Sequence, residues 1–368
     1  MKKAILNAWP SVAVSPEGEW QSRITLELTA LPEKIQFEAV SSRTGTAAEH
    51  RPQEVSARAT ANALSNPATV LAQACTYRFT LHGIELVMAA DDILVSDGLM
   101  KLVRVYARGH PGGRVSPEDP PQVNIDVLLE YPLCEQSECN KSGYLQSTTS
   151  LPVEIHQTPG LPATVTLCFS RKPLQNLFKG FRIGIDPGHG GKDKGIEGPV
   201  DLAEKYVALE ISRELCPLLK LSGAHPIVTR TSDVYLTEES RLDILRAGDP
   251  ALCIQIHASG SHDHLAQTYT VAAAQDCADS RLLASEIAAA LLERMGIKAE
   301  PTSMLPGPSG LGVPIVRVEP LCLTYFADEA NFRAPLFRKR LGQSIYNGIA
   351  RYLYKRRNAA ILHRSCEE

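Results

Sequence analysis

Three separate segments carry the side chains best suited to chemistry. The run Ile185-Asp186-Pro187-Gly188-His189-Gly190-Gly191 sets a histidine just past an apolar stretch, among glycines that let the backbone approach a bound group. Taken alone it is equally a Gly-rich strand-to-helix turn whose histidine is exposed. Glu204 falls in the first turn of the next helical pattern, where the helix dipole by itself favours an acid. His257 ends the apolar run Leu252-Cys253-Ile254-Gln255-Ile256, a place that suits a ligand facing a crevice and also a hydrogen-bonded core histidine. Together the three gain meaning. Two imidazoles and one carboxylate, projected from three elements to one sheet edge, make a His₂Glu set of the kind that holds a catalytic zinc and leaves a fourth position for water.

Other candidates are weaker. Cys134 and Cys139 form one close pair with no second pair at zinc-ribbon spacing, and His262 and His264 lie in a polar loop. His50, His82, His110 and His156 read as turn or surface residues. Nine cysteines, an odd number scattered through apolar settings, fit free thiols of a reducing compartment better than a disulfide framework.

The elements that must position these groups change character along the chain. From Gln21 to Phe169 apolar residues alternate, as in Ile24-Leu26-Leu28, Ile35-Phe37, Tyr77-Phe79-Leu81, Ile84-Leu86-Met88, Val123 to Leu129 and Val165-Leu167-Phe169, which predicts strands. His82-Gly83 reads as a two-residue hairpin turn, the segments 44–54, 109–121 and 134–150 as loops, and 55–64 as a short helix. Beyond a basic join near Ser170 to Gly180 strands alternate with helices. Strands are expected at Arg182–Ile185, His225–Thr229, Ala251–His257, Tyr269–Ala274, Pro314–Val318 and Pro320–Tyr325. Helices are expected after Glu204, at Thr237–Ala247, Ser280–Met295 and Leu336–Leu353, with a loop over Pro301–Gly312. The expected fold is α/β: a twisted, mainly parallel sheet flanked by helices, preceded by a mainly β domain. The expected domains are 1–175, 176–358 and a tail over 359–368, in line with 368 residues.

A net charge of -3 with 21% charged residues provides no basic surface for nucleic acid. No window offers the ~20 apolar residues of a membrane span, and Met1 to Gly18 lacks the apolar core of a secretory signal, so no signal peptide is expected.

From about Arg182 to Leu353 the chain resembles the amidase-3 family of N-acetylmuramoyl-L-alanine amidases. The likeness rests on Asp186 to Gly191, Asp193 and Gly195, Glu204-Lys205, Val228-Thr229-Arg230, Asp233, the Leu236 to Arg241 stretch and Ile256-His257-Ala258. It implies Zn²⁺ held by His189, Glu204 and His257, and cleavage of the amide between N-acetylmuramic acid and L-alanine in peptidoglycan or muropeptides. The family's proton-shuttling glutamate falls at Tyr325 when Pro320 and Asn331 are aligned, and an uncharged phenol with a pKa near ~10 is a poor base. Asp328 and Glu329 follow and can supply a carboxylate, or stand as solvated loop charges. Two readings result: an active zinc amidase, or a catalytically impaired module that binds peptidoglycan fragments or a protein partner. A zinc peptidase of the commonest class is disfavoured, since His-Glu-x-x-His is absent. The β-rich first half can serve to bind wall, to bind a protein partner or to cover the crevice.

Overall fold

The computed structural model describes residues 3–40, 76–88, 91–107, 120–130, 153–263, 265–274, 277–304 and 311–365. The chain divides into two compact units, Met1–Pro173 and Leu174–Glu368. The expectations for 44–54, 55–64, Cys134, Cys139, His50, His110 and His264 lie outside the described residues.

The first unit is all β in its described part. Its strands are β1 (Ala4–Val14), β2 (Trp20–Leu28), β3 (Lys34–Val40), β4 (Thr76–His82), β5 (Glu85–Leu86), β6 (Asp91–Leu94), β7 (Met100–Ala107), β8 (Gln122–Leu129), β9 (Val153–Thr158) and β10 (Ala163–Ser170). They form two five-stranded sheets, ordered β5-β1-β2-β10-β9 and β3-β4-β8-β7-β6. The period of two decides the inward face: Ile24, Leu26 and Leu28 of β2 register against Ile24↔Leu167 and Leu26↔Val165 on β10, all fully buried. Tyr77 and Phe79 of β4 meet Phe169 of β10 edge-on, so the two sheets share one core.

Three expectations change here. The His82-Gly83 step is no hairpin: β4 pairs with β3 and β8, whereas β5 pairs in parallel with β1, so the chain passes from one sheet to the other. Strand β1 went unforeseen because it is held by backbone pairing along β2, with little apolar burial beyond Ala4 and Ile5. Strands β6, β7 and β9 are also additional; β6 and β9 bury few side chains and so display little alternation.

In the second unit α1 (Lys172–Phe178) is followed by β11 (Arg182–Pro187), α2 (Glu204–Leu221), β12 (His225–Val228), α3 (Glu238–Gly248), β13 (Leu252–Ile256), β14 (Thr270–Ala274), α4 (Ala278–Met295), β15 (Glu300–Met304), β16 (Ile315–Glu319), α5 (Phe326–Phe332) and α6 (Pro335–Ser365). The six strands are ordered β12-β11-β13-β16-β14-β15, parallel throughout except that β14 runs antiparallel to β16. Long helix α6 packs on α2 and α4, closely enough that a Cβ at Gly348 would strike Ile287 of α4. Helix α3 lays Leu245 over Cys253, Ala272 and Ile315 of the sheet. Full burial of such side chains contributes about 1.5–3 kcal/mol each. Among the described residues no helix is long and apolar enough to cross a membrane, and Cys168, Cys216, Cys253, Cys277 and Cys322 are free thiols.

Helices α1 and α5 are additional, α6 runs beyond Leu353 to Ser365, and two further segments differ from expectation. The first part of the expected loop Pro301–Gly312 belongs instead to the edge strand β15 (Glu300–Met304), a position that tolerates Pro301 because its outer side needs no donor. Pro320–Tyr325, read as a strand, makes one bridge between Cys322 and Ser259 and then turns, with the Tyr325 amide donating to the Cys322 carbonyl.

Candidate metal centre

Strand register fixes the site. Pro187 of β11 lies beside Ile256 of β13, and the Gly188 amide donates to the Ile256 carbonyl, so His189 and His257 leave the sheet at the same edge. Helix α2 starts at that edge with Glu204, whose own amide donates to the Ile196 carbonyl of the intervening loop. The N-cap position, Ala203, offers no capping side chain, so this backbone bond takes over part of that work.

The three side chains converge. His189 Nε2 lies 3.1 Å from Glu204 Oε2, and His257 Nδ1 lies 2.9 Å from Glu204 Oε1. The two rings stand nearly perpendicular with centroids 5.1 Å apart. One ligand atom from each residue falls within 4.8 Å of the others. Each carboxylate oxygen also accepts a backbone amide, from Ile196 and Ala258 at 3.0 Å. Glu204 is only 3% exposed. Burial alone would raise its pKa, but the bonds from His189, His257 and the two amides outweigh it and hold the carboxyl far below the usual range. The same Glu204 contact, helped by Asp193, raises the pKa of His189 against its burial.

The surroundings suit a divalent ion. The far nitrogen of His189, Nδ1, sits 2.9 Å from Asp193 Oδ2, the carboxylate–imidazole pairing that orients a metal-binding ring. Backbone comes close on both sides: a Cβ at Gly195 would lie 2.6 Å from Glu204 Oε2 and 2.8 Å from His189 Nε2, and one at Gly188 would overlap the His257 ring. Two borderline nitrogens, one hard oxygen and glycine walls fit zinc or a similar ion.

His189 itself occupies the left-handed backbone region, φ 58, a conformation that costs a non-glycine residue about 1–3 kcal/mol. Around it runs a buried polar shell. Asp186 Oδ1 accepts from Thr229 and Arg241, and Lys205 bridges the Gly191 carbonyl and Asp233. Burial and the neighbouring Arg241 guanidinium bring Arg230 down to about 10. Asp193, Arg230, Asp233 and Arg241 belong to the motif by which the chain resembles the family, but their roles appear only in the fold. The legible signal was an acid four residues after His189, and an arginine closing the apolar run Pro226-Ile227-Val228.

The structure also locates the three residues considered for proton transfer. Glu329 is 1% exposed and both of its oxygens are engaged: Oε2 accepts the Val200 amide, Oε1 the Leu202 amide and an Arg333 nitrogen. It is therefore no solvated loop charge but an anchor of the 198–202 turn. Asp328 is also buried, with Oδ2 accepting the Cys322 amide and Tyr269 as a second partner; burial raises its pKa. Tyr325 is half-buried at the N-cap of α5 and makes no side-chain cap bond. Its turn packs on the loops that follow His189 and His257, since a Cβ at Gly260 would touch Ile196 and Thr324, and one at Gly198 would touch the Leu323 carbonyl.

The profile of the family described as N-acetylmuramoyl-L-alanine amidase matches residues 183–351. Those residues match the amidase-3 family. The matched stretch contains every side chain of the centre just described. Over 184 residues the chain is 29% identical to the N-acetylmuramoyl-L-alanine amidase LytC of Bacillus subtilis, covering 49% of this chain and 37% of that protein. Over 200 residues it is 30% identical to the probable cell wall amidase LytH of Staphylococcus epidermidis, covering 54% and 65%. The chain thus spans less than two thirds of the length of either relative. Among solved structures, the amidase AmiC2 of Nostoc punctiforme is 24% identical, with 47% of this chain and 97% of that one covered and a TM-score of 0.43.

Proposed function

We propose that the amidase-3 domain holds one zinc ion through His189, Glu204 and His257 and hydrolyses the amide joining N-acetylmuramic acid to L-alanine in peptidoglycan or its fragments. The observation that carries this reading is the meeting of both imidazoles on the two oxygens of one ionised, amide-braced carboxylate. Bound zinc supplies Lewis acidity toward the amide carbonyl and lowers the pKa of water to about 7.

The chain's own residues do the rest. Asp193 sets the orientation of the His189 ring through Nδ1. Glu204 stays anionic through the neutral range, its oxygens braced by the Ile196 and Ala258 amides. Tyr325, where the resemblance places the family's glutamate, carries a phenolic hydroxyl able to donate a hydrogen bond. Of the two neighbouring acids, Glu329 has both oxygens committed to the 198–202 turn and Arg333, whereas Asp328, whose carboxyl pKa burial raises and whose Oδ2 accepts the Cys322 amide, is the one put forward as the shuttle for test.

One preparation tests the proposal in two ways: zinc content per chain, and release of free stem peptides from purified peptidoglycan. Zinc together with cleavage, both lost in Glu204→Ala, supports it. A chain that takes up zinc and cleaves nothing is instead a binding module; one that takes up no zinc sinks the proposal outright.

A further inference from the structure

We infer that Arg241 and Arg230 are positioning residues for the metal centre: their two guanidinium forks hold three consecutive carbonyls of the His189 loop and thereby fix the His189 imidazole against Glu204. The inference rests on the zinc reading above.

The contacts form a continuous set. Arg241 Nη2 donates to the His189 carbonyl at 2.6 Å, and Nη1 to the Pro187 carbonyl and Asp186 Oδ1, each at 2.7 Å. Arg230 Nη2 donates to the Gly188 carbonyl at 2.6 Å and to the Lys205 carbonyl at 2.8 Å, while its Nε reaches the Pro187 carbonyl at 2.9 Å. The carbonyls of 187, 188 and 189 therefore all accept from guanidinium. Lys205 is the residue after Glu204, so one side chain ties the loop of the first ligand to the helical turn of the second.

Geometry gives the reason for two arginines. His189 lies at φ 58, where a side chain other than glycine stays only if its surroundings over-determine it. A carbonyl turned inward by that conformation needs a buried donor, and the planar fork of arginine supplies several in fixed directions where lysine supplies a single point charge. Arg230 and Arg241 are 2% and 4% exposed, and Asp186, itself 3% exposed, is the carboxylate that pairs with Arg241. Two buried cations against one buried anion is an expensive arrangement if packing were the only purpose, because apolar side chains of similar volume fill such space at lower desolvation cost.

The test uses the full chain, freed of metal, with Arg241→Met, Arg230→Met, Arg241→Lys and the surface control Arg246→Met, whose native partner is Asp243. Zinc affinity is read by competition with a chromophoric chelator, cobalt geometry by the visible spectrum of the Co²⁺-loaded protein, and folding by circular dichroism. Arg241→Met and Arg230→Met are expected to weaken zinc binding about 10–100-fold and to alter the cobalt spectrum, and Arg246→Met to leave both unchanged. Arg241→Lys, which keeps the charge and loses the fork, is expected to fall between and serves as the deciding variant if the methionine forms do not fold. Folded arginine variants with wild-type zinc affinity and an unaltered cobalt spectrum would overturn the inference. Wild-type protein that binds no zinc overturns the underlying proposal and this inference with it, an outcome distinct from the first.

Discussion

At the scale of single residues, Glu204 is the group on which the centre turns, and its ionisation gives the metal-free protein a definite pH response. Its pKa is depressed below the ordinary 4.5, so its stabilising bonds are present above that pH and are lost as the pH falls through the depressed value. The pKa of His189 is raised above 6.5, so its share is fully present below that pH and disappears as the pH rises through the raised value. The melting temperature of chelator-treated protein is therefore expected to decline as the pH climbs above 6.5. The rise in melting temperature on adding zinc should grow over the same range, since zinc and a proton compete for His189. Calorimetry at a series of pH values checks both, and a zinc effect independent of pH would count against His189 as a ligand.

Residue identity also decides the proton transfer. Asp328→Asn is expected to lower kcat about 10²–10⁴-fold with little change in KM if Asp328 shuttles the proton. Placing a carboxylate at the half-buried N-cap position of α5, Tyr325→Glu, is expected to raise kcat by restoring a base beside both ligand loops. Rates of stem-peptide release decide between them; an unchanged rate in Asp328→Asn removes Asp328 from the mechanism.

At the scale of elements, the loop between His189 and Glu204 is held from outside by α5. Glu329 and Arg333, one turn apart, satisfy the Val200 amide, the Val200 carbonyl and the Leu202 amide. Glu329→Ala leaves two amides without their acceptor and should cost about 1–3 kcal/mol in urea unfolding, while stem-peptide cleavage should fall far less than in Glu204→Ala. If cleavage instead vanished with stability intact, Glu329 would have to be reassigned to the chemistry. Gly195 belongs to the same loop. Its φ of +66 and the 2.6 Å that would separate a new Cβ from Glu204 Oε2 make Gly195→Ala a metal-binding defect, measurable as weakened zinc uptake.

At the scale of the whole molecule, all the groups of the centre and of its arginine cradle fall between Asp186 and Asp328, inside the unit Leu174–Glu368. That unit has its own sheet, and its helices bury their own apolar faces. A fragment starting at Leu174 is therefore expected to fold cooperatively and to bind zinc with the affinity of the full chain. Circular dichroism and chelator competition measure this, and a fragment that folds yet loses zinc would assign the first unit a part in the centre.

The sequence alone indicated most strands and helices of the second unit, though not α1, β15 or α5, and named the metal-binding candidates. Helical and strand periods are local properties, and a histidine just past the end of an apolar parallel strand has few places to go. It could not reveal β1 or β15, which are held by hydrogen bonds between backbones distant in the chain and bury few apolar side chains. Nor could it separate Asp328 from Glu329, adjacent acids in one helical turn. Their difference arises only when the 198–202 turn arrives to occupy one carboxylate and Cys322 and Tyr269 the other. Tertiary structure alone likewise gave Arg230 and Arg241 their work, because the carbonyls they hold point at them only after β11, β12 and α3 have packed, and the direction of a backbone carbonyl is written in no single residue.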